Sequence, residues 1–425
     1  MPTAEILSQG EEVVTGQVID SNAAWLSTRL SELGFTVRRH TVLGDRLPDL
    51  RAALRDIAGR CDLCIGTGGL GPTADDLTAD AVAEAFGLSL ALDELAMAAI
   101  EAIYQRLGRP MPPSNQRQAW LPVGAVRLDN DWGTAPGFAL DVEGTRFAFL
   151  PGVPREMRLM FEERVLPLLR PLLPDEPPHR VTLRAVGIGE SALQERVGDF
   201  HHPAVTLSYR TNLPENHVVL RAPGSTPEAE LVEVAAELAR RIGAPLFAVE
   251  GLRGAAPGRL GPVDTQGGDL AEVVGRALLA REATLAVAES CTGGLLGAMV
   301  TRVPGSSAWF VEGAITYSND AKVRALGVDP AALERHGAVS EPVARLMAQG
   351  IRERAGATYA LSITGVAGPG GGSPEKPVGT VHLALATPEG TFHHHAFLPG
   401  GRERTRTLAA ATALDLLRRH LTLPA

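Results

Sequence analysis

Three side chains able to act as nucleophiles, Ser290, Cys291 and Thr292, stand together in the stretch LAVAESCTGGLLG, residues 285 to 297. An apolar run leads into them, and Gly293 and Gly294 follow before a helical pattern begins. Ligands of open α/β sheets collect at the carboxyl ends of strands. A strand end that opens a helix presents free N–H groups and the positive end of the helix dipole, which suits a bound anion or a developing oxyanion. Serine and threonine are also favoured helix caps. A catalytic turn, a phosphate cradle and a plain capped helix therefore all fit these residues.

A second loop, SITGVAGPGGGSPEKPVGT from Ser362 to Thr380, has the same strand-then-glycine design. Thr364 and Gly365 lie where it opens, its glycines allow close backbone approach to a ligand, and Lys376 supplies charge. Two such loops point to a phosphorylated substrate. Of 40 lysines and arginines only Lys322 and Lys376 are lysine. Lysine differs from arginine in that it can lose its proton when desolvated. Lys322 falls in the first turn of an expected helix, NDAKVRALG, where the macrodipole opposes its charge and lowers its pKa. That suits a general base for a hydroxyl or thiol.

The N-terminal part holds a third glycine-rich loop, GTGGLGPT, followed by Asp75 and Asp76. Adjacent carboxylates beside a phosphate loop point to a divalent cation; acidic residues favoured at a helix start are the plainer alternative. Cys61 and Cys64 form C-x-x-C inside an apolar strand pattern, where residues three apart face opposite ways. They read as structural, because a redox pair sits at a helix N-terminus. His393–His395 lie in a β-run in which only the outer two share a face, so they read as an exposed strand rather than a metal tract.

These residues need elements to position them. From the N-terminus strands and helices alternate, AEILSQ, SNAAWLSTRLSELG, FTVRRHTVL, LPDLRAALRDIAGR, then CDLCIGTGG, which implies a parallel sheet covered on both faces. The Pro-rich PLLPDEPPH, residues 171 to 179, marks a boundary. A small α+β module follows, and the Gly- and Pro-rich residues 251–268 read as a linker. The last segment is again α/β, with Ser340 as the N-cap of a helix. The expected class is α/β: two three-layer α/β/α domains, 1–170 and 269–425, flanking a KH-like α+β module at 171–250.

A length of 425 residues accommodates about three domains. Hydrophobic content of 45% and charged content of 21% belong to a globular protein. No apolar run is long enough to span a bilayer, and MPTAEILSQGEE lacks the features of a signal peptide. Three cysteines make no disulfide framework, so a cytoplasmic location is expected. A net charge of −9 argues against nonspecific nucleic-acid binding.

The motifs AESCTGG, GAITYSNDAK, HGAVSE, SITGVAGPGGG and EKPVGTV, in this order, closely resemble the CinA C-terminal domain. That family is similar to nicotinamide-nucleotide amidases, which convert nicotinamide mononucleotide to nicotinic acid mononucleotide and ammonia. The resemblance implies Ser290 as nucleophile, Lys322 as its base and Tyr317 nearby. It implies substrate binding by Thr364 and by an arginine of PGGRERTR, Arg404 or Arg402. The turn Cys291–Gly294, with Gly365 and Lys376, would complete the site, the helix N-terminus would hold the oxyanion, and no metal is needed.

GEEVVTGQVIDSN, GTGGLGPTADDLT and LPGVPREM resemble the CinA family's N-terminal domain, which is like the molybdopterin-binding MoaB and MogA proteins. This resemblance implies hydrolysis of ADP-ribose to AMP and ribose 5-phosphate with a divalent metal (Mg, Mn or Co). Asp76 would be catalytic, and Glu12, Asp45, Asp75 and Asp76 would hold the metal. Thr67, Gly68, Gly69, Gly71 and Thr73 would hold the pyrophosphate. Molybdopterin remains a second ligand. The KH-like module has only GIGES where a G-x-x-G clamp would be, so it reads as a spacer or dimer element rather than an RNA binder. A homodimer is expected. The alternative function is a non-catalytic nucleotide- or molybdopterin-binding scaffold linked to competence or DNA damage.

Overall fold

The computed structural model describes residues 1–252 and 258–422. The chain divides into two compact units, Met1–Pro178 and His179–Ala425. Among the described residues no helix is long and apolar enough to cross a membrane.

The first unit is built on strands β1 (Thr3–Gln9), β2 (Thr36–Leu43), β3 (Leu63–Thr67), β4 (Leu90–Leu92), β5 (Trp120–Pro122), β6 (Val126–Leu128), β7 (Gly137–Val142) and β8 (Thr145–Leu150). Six of them form one sheet in the order β2-β1-β3-β8-β7-β6, while β4 and β5 pair separately. The pairs among β2, β1, β3 and β8 are parallel, and β7 and β6 close the sheet antiparallel. Every residue of β3 is buried, as expected for a strand covered on both faces. The helix Leu47–Ile57 turns Leu50, Leu54 and Ile57 inward, the i, i+4, i+7 stripe of an amphipathic helix. Cys61 and Cys64 are both free and buried, and burial pushes the Cys61 thiol up to about 11. They share one core cluster because Cys61 precedes the strand, so the opposite-face expectation does not apply to it.

The second unit opens with β9 (His179–Val186), β10 (Thr206–Asn212), β11 (Glu215–Ala222) and β12 (Leu246–Glu250). With helices Glu190–Val197 and Glu228–Ile242 they run β-α-β-β-α-β, in an antiparallel sheet ordered β10-β11-β9-β12. This is the split βαβ, ferredoxin-like arrangement, and it replaces the KH-like expectation. The outline of short strands and helices was readable in the sequence, but their pairing was not.

The described part of the expected linker is packed. Leu260 is buried. The Asp264 carbonyl accepts from Val249 N at 2.8 Å, and the Asp264 carboxylate pairs with Arg276 at 3.0 Å. The final sheet contains β13 (Leu285–Glu289), β14 (Phe310–Ile315), β15 (Tyr359–Gly365), β16 (Thr380–Ala386) and β17 (Thr391–Phe397), ordered β14-β13-β15-β16-β17. β14, β13 and β15 are parallel, whereas β16 and β17 form an antiparallel hairpin. Helix Leu270–Leu279 packs on Trp309, and a Cβ at Gly275 would come within 2.7 Å of that indole. Arg418, on the terminal helix Arg402–Thr422, is buried with Asp415 and donates to the carbonyl of Ala244 at 2.7 Å.

Both α/β sheets change direction between their first strand and its neighbours: β1 lies between β2 and β3, and β13 between β14 and β15. Crevices at the carboxyl ends of such switch points are where open sheets bind ligands.

Candidate active sites at two switch points

Ser290 follows the last residue of β13, and its amide donates to Ile363 of β15 at 3.0 Å. Lys322 comes from the helix Asn319–Leu326, which Ser318 caps by accepting from Ala321 N. It is the fourth residue of that helix, and its side chain runs into the interior, where it is 1% exposed. Nζ donates to Ser290 Oγ at 3.1 Å and to the Thr316 carbonyl at 2.8 Å. Burial pushes its ammonium below the ordinary lysine value, partly opposed by Cys291. The expected direction of the shift stands, with desolvation as its chief cause. Cys291 is buried and its thiol is pushed up to about 11, so it stays protonated at neutral pH.

The expected oxyanion site at the start of helix Leu295–Thr301 is already filled. The Glu289 carboxylate, 2% exposed, accepts from Gly294 N (3.0 Å), Leu296 N (3.1 Å) and Gly297 N (2.8 Å). This corrects the sequence expectation: the chain supplies its own anion to that dipole. Gly293 N donates to the Ser290 carbonyl. Among the described residues, the amides of Cys291 and Thr292 beside Ser290 make no hydrogen bond to a backbone carbonyl. Gly293 and Gly294 have φ of +60° and +96°, so the turn needs residues without a Cβ.

Tyr317 is exposed and its hydroxyl accepts from Arg402, which also donates to the Gly368 carbonyl at 2.8 Å. The structure thus joins Arg402 to Tyr317 and to the second loop, while the Arg404 side chain packs against Gly400. Thr364 is buried and donates to Ala338 O at 2.8 Å; Gly365, next to it, ends β15. Lys376 donates to His336 O at 2.7 Å and holds the loop to a neighbouring helix end. Arg406 escaped the sequence reading. Its Nη2 donates to the Thr292 carbonyl at 2.8 Å and clamps the turn that carries Ser290. The outer residues of the histidine run, His393 and His395, stack on His382 of the paired strand.

In the first unit, the ends of β1 and β3 flank a cleft of about 400 Å³. Glu12, Asp45, Asp75 and Asp76 all line it, with Gly68, Gly69 and Gly71. Thr67 lies below, buried, and donates to Pro151 O. Thr73 binds Asp76 Oδ2 through its amide (2.8 Å) and its hydroxyl (2.5 Å). Gln9, which the motifs did not flag, organises the cleft. It is buried, donates to Asp45 Oδ1 at 3.0 Å and accepts from Thr78 at 2.5 Å. A Cβ at Gly68 or Gly69 would collide with Gln9, so these glycines serve chain packing as well as any ligand.

Oxygen donors of this kind suit a hard divalent cation. As they stand, Asp45 is committed to Gln9 and Glu11 N, and Asp76 to Thr73. Among the described residues no three or more His, Cys, Asp or Glu side chains are arranged to hold a metal. The four carboxylates share a cleft without forming a ready coordination shell.

Two α/β folds with loop sites at their switch points, one of them pairing a buried serine with a buried lysine, define the class. Residues 268–421 match the family model of the CinA C-terminal domain, and residues 5–171 match that of the probable molybdopterin binding domain. The chain is 44% identical over 418 residues to a CinA-like protein of Anaeromyxobacter sp. (strain Fw109-5), covering 97% of this chain and 98% of that one. It is 41% identical over 428 residues to a CinA-like protein of Myxococcus xanthus (strain DK1622), covering 98% of each. The crystal structure of competence/damage inducible protein CihA from Agrobacterium tumefaciens is 42% identical, covers 36% of this chain and 97% of its own, and has a TM-score of 0.34. The chain belongs to the CinA family.

Proposed function

We propose that the second unit is an amidase acting on nicotinamide mononucleotide. The observation that carries this reading is the 3.1 Å contact from Lys322 Nζ to Ser290 Oγ, with both side chains at least nine-tenths buried. Burial disfavours the ammonium of Lys322, and in its free-amine form the lysine takes the Ser290 proton as Oγ attacks the carboxamide carbon. The amides of Cys291 and Thr292 are the donors for the oxyanion. The C–N bond then breaks, and the proton held by Lys322 goes to the leaving nitrogen, giving ammonia. Water, giving its proton to Lys322, attacks the acyl ester and releases the carboxylate and Ser290.

The test is ammonia release from nicotinamide mononucleotide by the full chain beside Ser290→Ala and Lys322→Arg. Both variants are expected to lose at least about a thousandfold in kcat, as nucleophile and base losses do elsewhere. Folded Ser290→Ala with near-normal turnover would sink the reading.

The first unit supports a second activity, hydrolysis of ADP-ribose to AMP and ribose 5-phosphate, on the strength of four carboxylates and a glycine loop around one cleft. The expected Mg, Mn or Co dependence is checked by chelation and add-back. Asp76→Asn is expected to abolish AMP formation without affecting ammonia release.

A further inference from the structure

Next to the large cleft of the first unit lies a smaller chamber of about 120 Å³. Gln9, Glu12 and Gly152 line both spaces, so the two adjoin. Ser8, Asp20 and Asn22 line only the smaller one, together with the apolar side chains of Val13, Val18 and Ile19.

Three polar atoms of this chamber are buried without a partner in the protein: Ser8 Oγ, Asp20 Oδ2 and Asn22 Oδ1. Ser8 is 3% and Asn22 8% exposed. Leaving a buried polar atom unpaired costs stability, so three lining one chamber call for an explanation. The rest of each side chain is satisfied. Asp20 Oδ1 caps the helix Ser21–Glu32 through Ala23 N at 2.9 Å. Asn22 Nδ2 donates to Thr67 Oγ1 (3.0 Å) and to Gly152 O (2.8 Å). These bonds fix the side chains, and the free atoms remain as two pure acceptors and one hydroxyl.

A matching group must therefore bring hydrogen-bond donors or positive charge, which excludes a phosphate; the size of the chamber and its apolar wall favour adjacent hydroxyls on a ring over a bare cation. A single water needs roughly 10–15 Å³ of such space, so the chamber has room for a ring. Apolar side chains along the wall suit the C–H face of a sugar. A carboxylate that accepts from ribose hydroxyls is a recurrent device of nucleotide sites.

We propose that this chamber is a sugar subsite, which takes the vicinal diol of a ribose whose phosphate lies in the adjoining cleft. The proposal rests on reading that cleft as a phosphate site. Ser8 and Asp20 then discriminate ribose from deoxyribose.

The test is calorimetric titration of the full chain with ribose 5-phosphate, 2-deoxyribose 5-phosphate and pyrophosphate. Wild type is expected to bind ribose 5-phosphate at least about tenfold more tightly than the deoxy sugar. Ser8→Ala and Asp20→Asn should erase that preference and leave pyrophosphate affinity unchanged. Asparagine is as good an N-cap as aspartate, and Ser8→Ala removes an unpaired hydroxyl, so both variants should melt no lower than wild type. Equal affinity for the two sugars, no affinity for either, or a preference that survives in both variants would overturn the proposal and leave the chamber to water. Ribose preference without pyrophosphate binding would instead remove the phosphate reading of the cleft and keep the sugar subsite.

Discussion

A protonated lysine buried as deeply as Lys322 destabilises the fold that holds it. Its folded pKa lies below 10.5, so between the two values the unfolded chain binds more protons. The stability of the second unit therefore rises with pH across that window and stops rising near 10.5. The rate of the proposed amidase reaction should rise on the same limb, as the free amine forms. Lys322→Met should abolish turnover yet raise stability at pH 7 by about 1 kcal/mol or more, as read in denaturant titrations. A lower midpoint would show that its bonds to Ser290 and Thr316 outweigh burial. Glu289→Gln should cost about 1–3 kcal/mol, because an amide nitrogen would face one of three N–H donors. The residues alone singled out two lysines among arginines, both within glycine-flanked motifs, but the pairing of Lys322 with Ser290 was legible only through the family resemblance. Glu289 and Gln9 were not, because their partners include backbone groups and side chains that only folding brings near.

At the scale of elements, helix Glu341–Ala355 governs where Lys322 sits. Its Gly350 touches the Leu326 carbonyl at the end of the Lys322 helix, with no room for a Cβ. Gly350→Ala is expected to cost about 1–3 kcal/mol and to lower ammonia release by shifting that helix; an unchanged rate and melting temperature would refute the linkage. The β16–β17 hairpin carries a separate acid response. His382 is lowered to about 4, first by burial, then by His395, His393 and Lys376, with Glu341 opposing. Because the folded value lies below 6.5, stability is lost as pH falls from about 6.5 to about 4. His382→Phe should flatten that loss in midpoints measured between pH 7 and 4. The alternation of strands and helices was readable from apolar periodicity, whereas capping was less so: Ser340 occupies the N-cap position, but its hydroxyl donates to Gly337 O. The helix Pro154–Met160 runs into a π-turn at Phe161–Val165, next to Pro167, whose missing N–H cannot continue the ladder.

For the whole molecule, composition pointed to several domains, and each α/β sheet could be anticipated from its glycine loops. The grouping could not. Gly and Pro content made residues 251–268 look like free chain, because the sequence does not reveal that Asp264 pairs with the strand Leu246–Glu250 and with Arg276. Arg418→Met should leave Asp415 buried with less compensation and cost about 3–5 kcal/mol. Calorimetry should show that loss in the transition of His179–Ala425 alone, with the transition of Met1–Pro178 unmoved. The same arginine has a bearing on inheritance. A gene fragment beginning at Asp269 would encode both partners of the Arg418–Asp415 pair but not the Ala244 carbonyl that the guanidinium also needs. A cut near codon 178 would instead keep the pair and that carbonyl in one fragment.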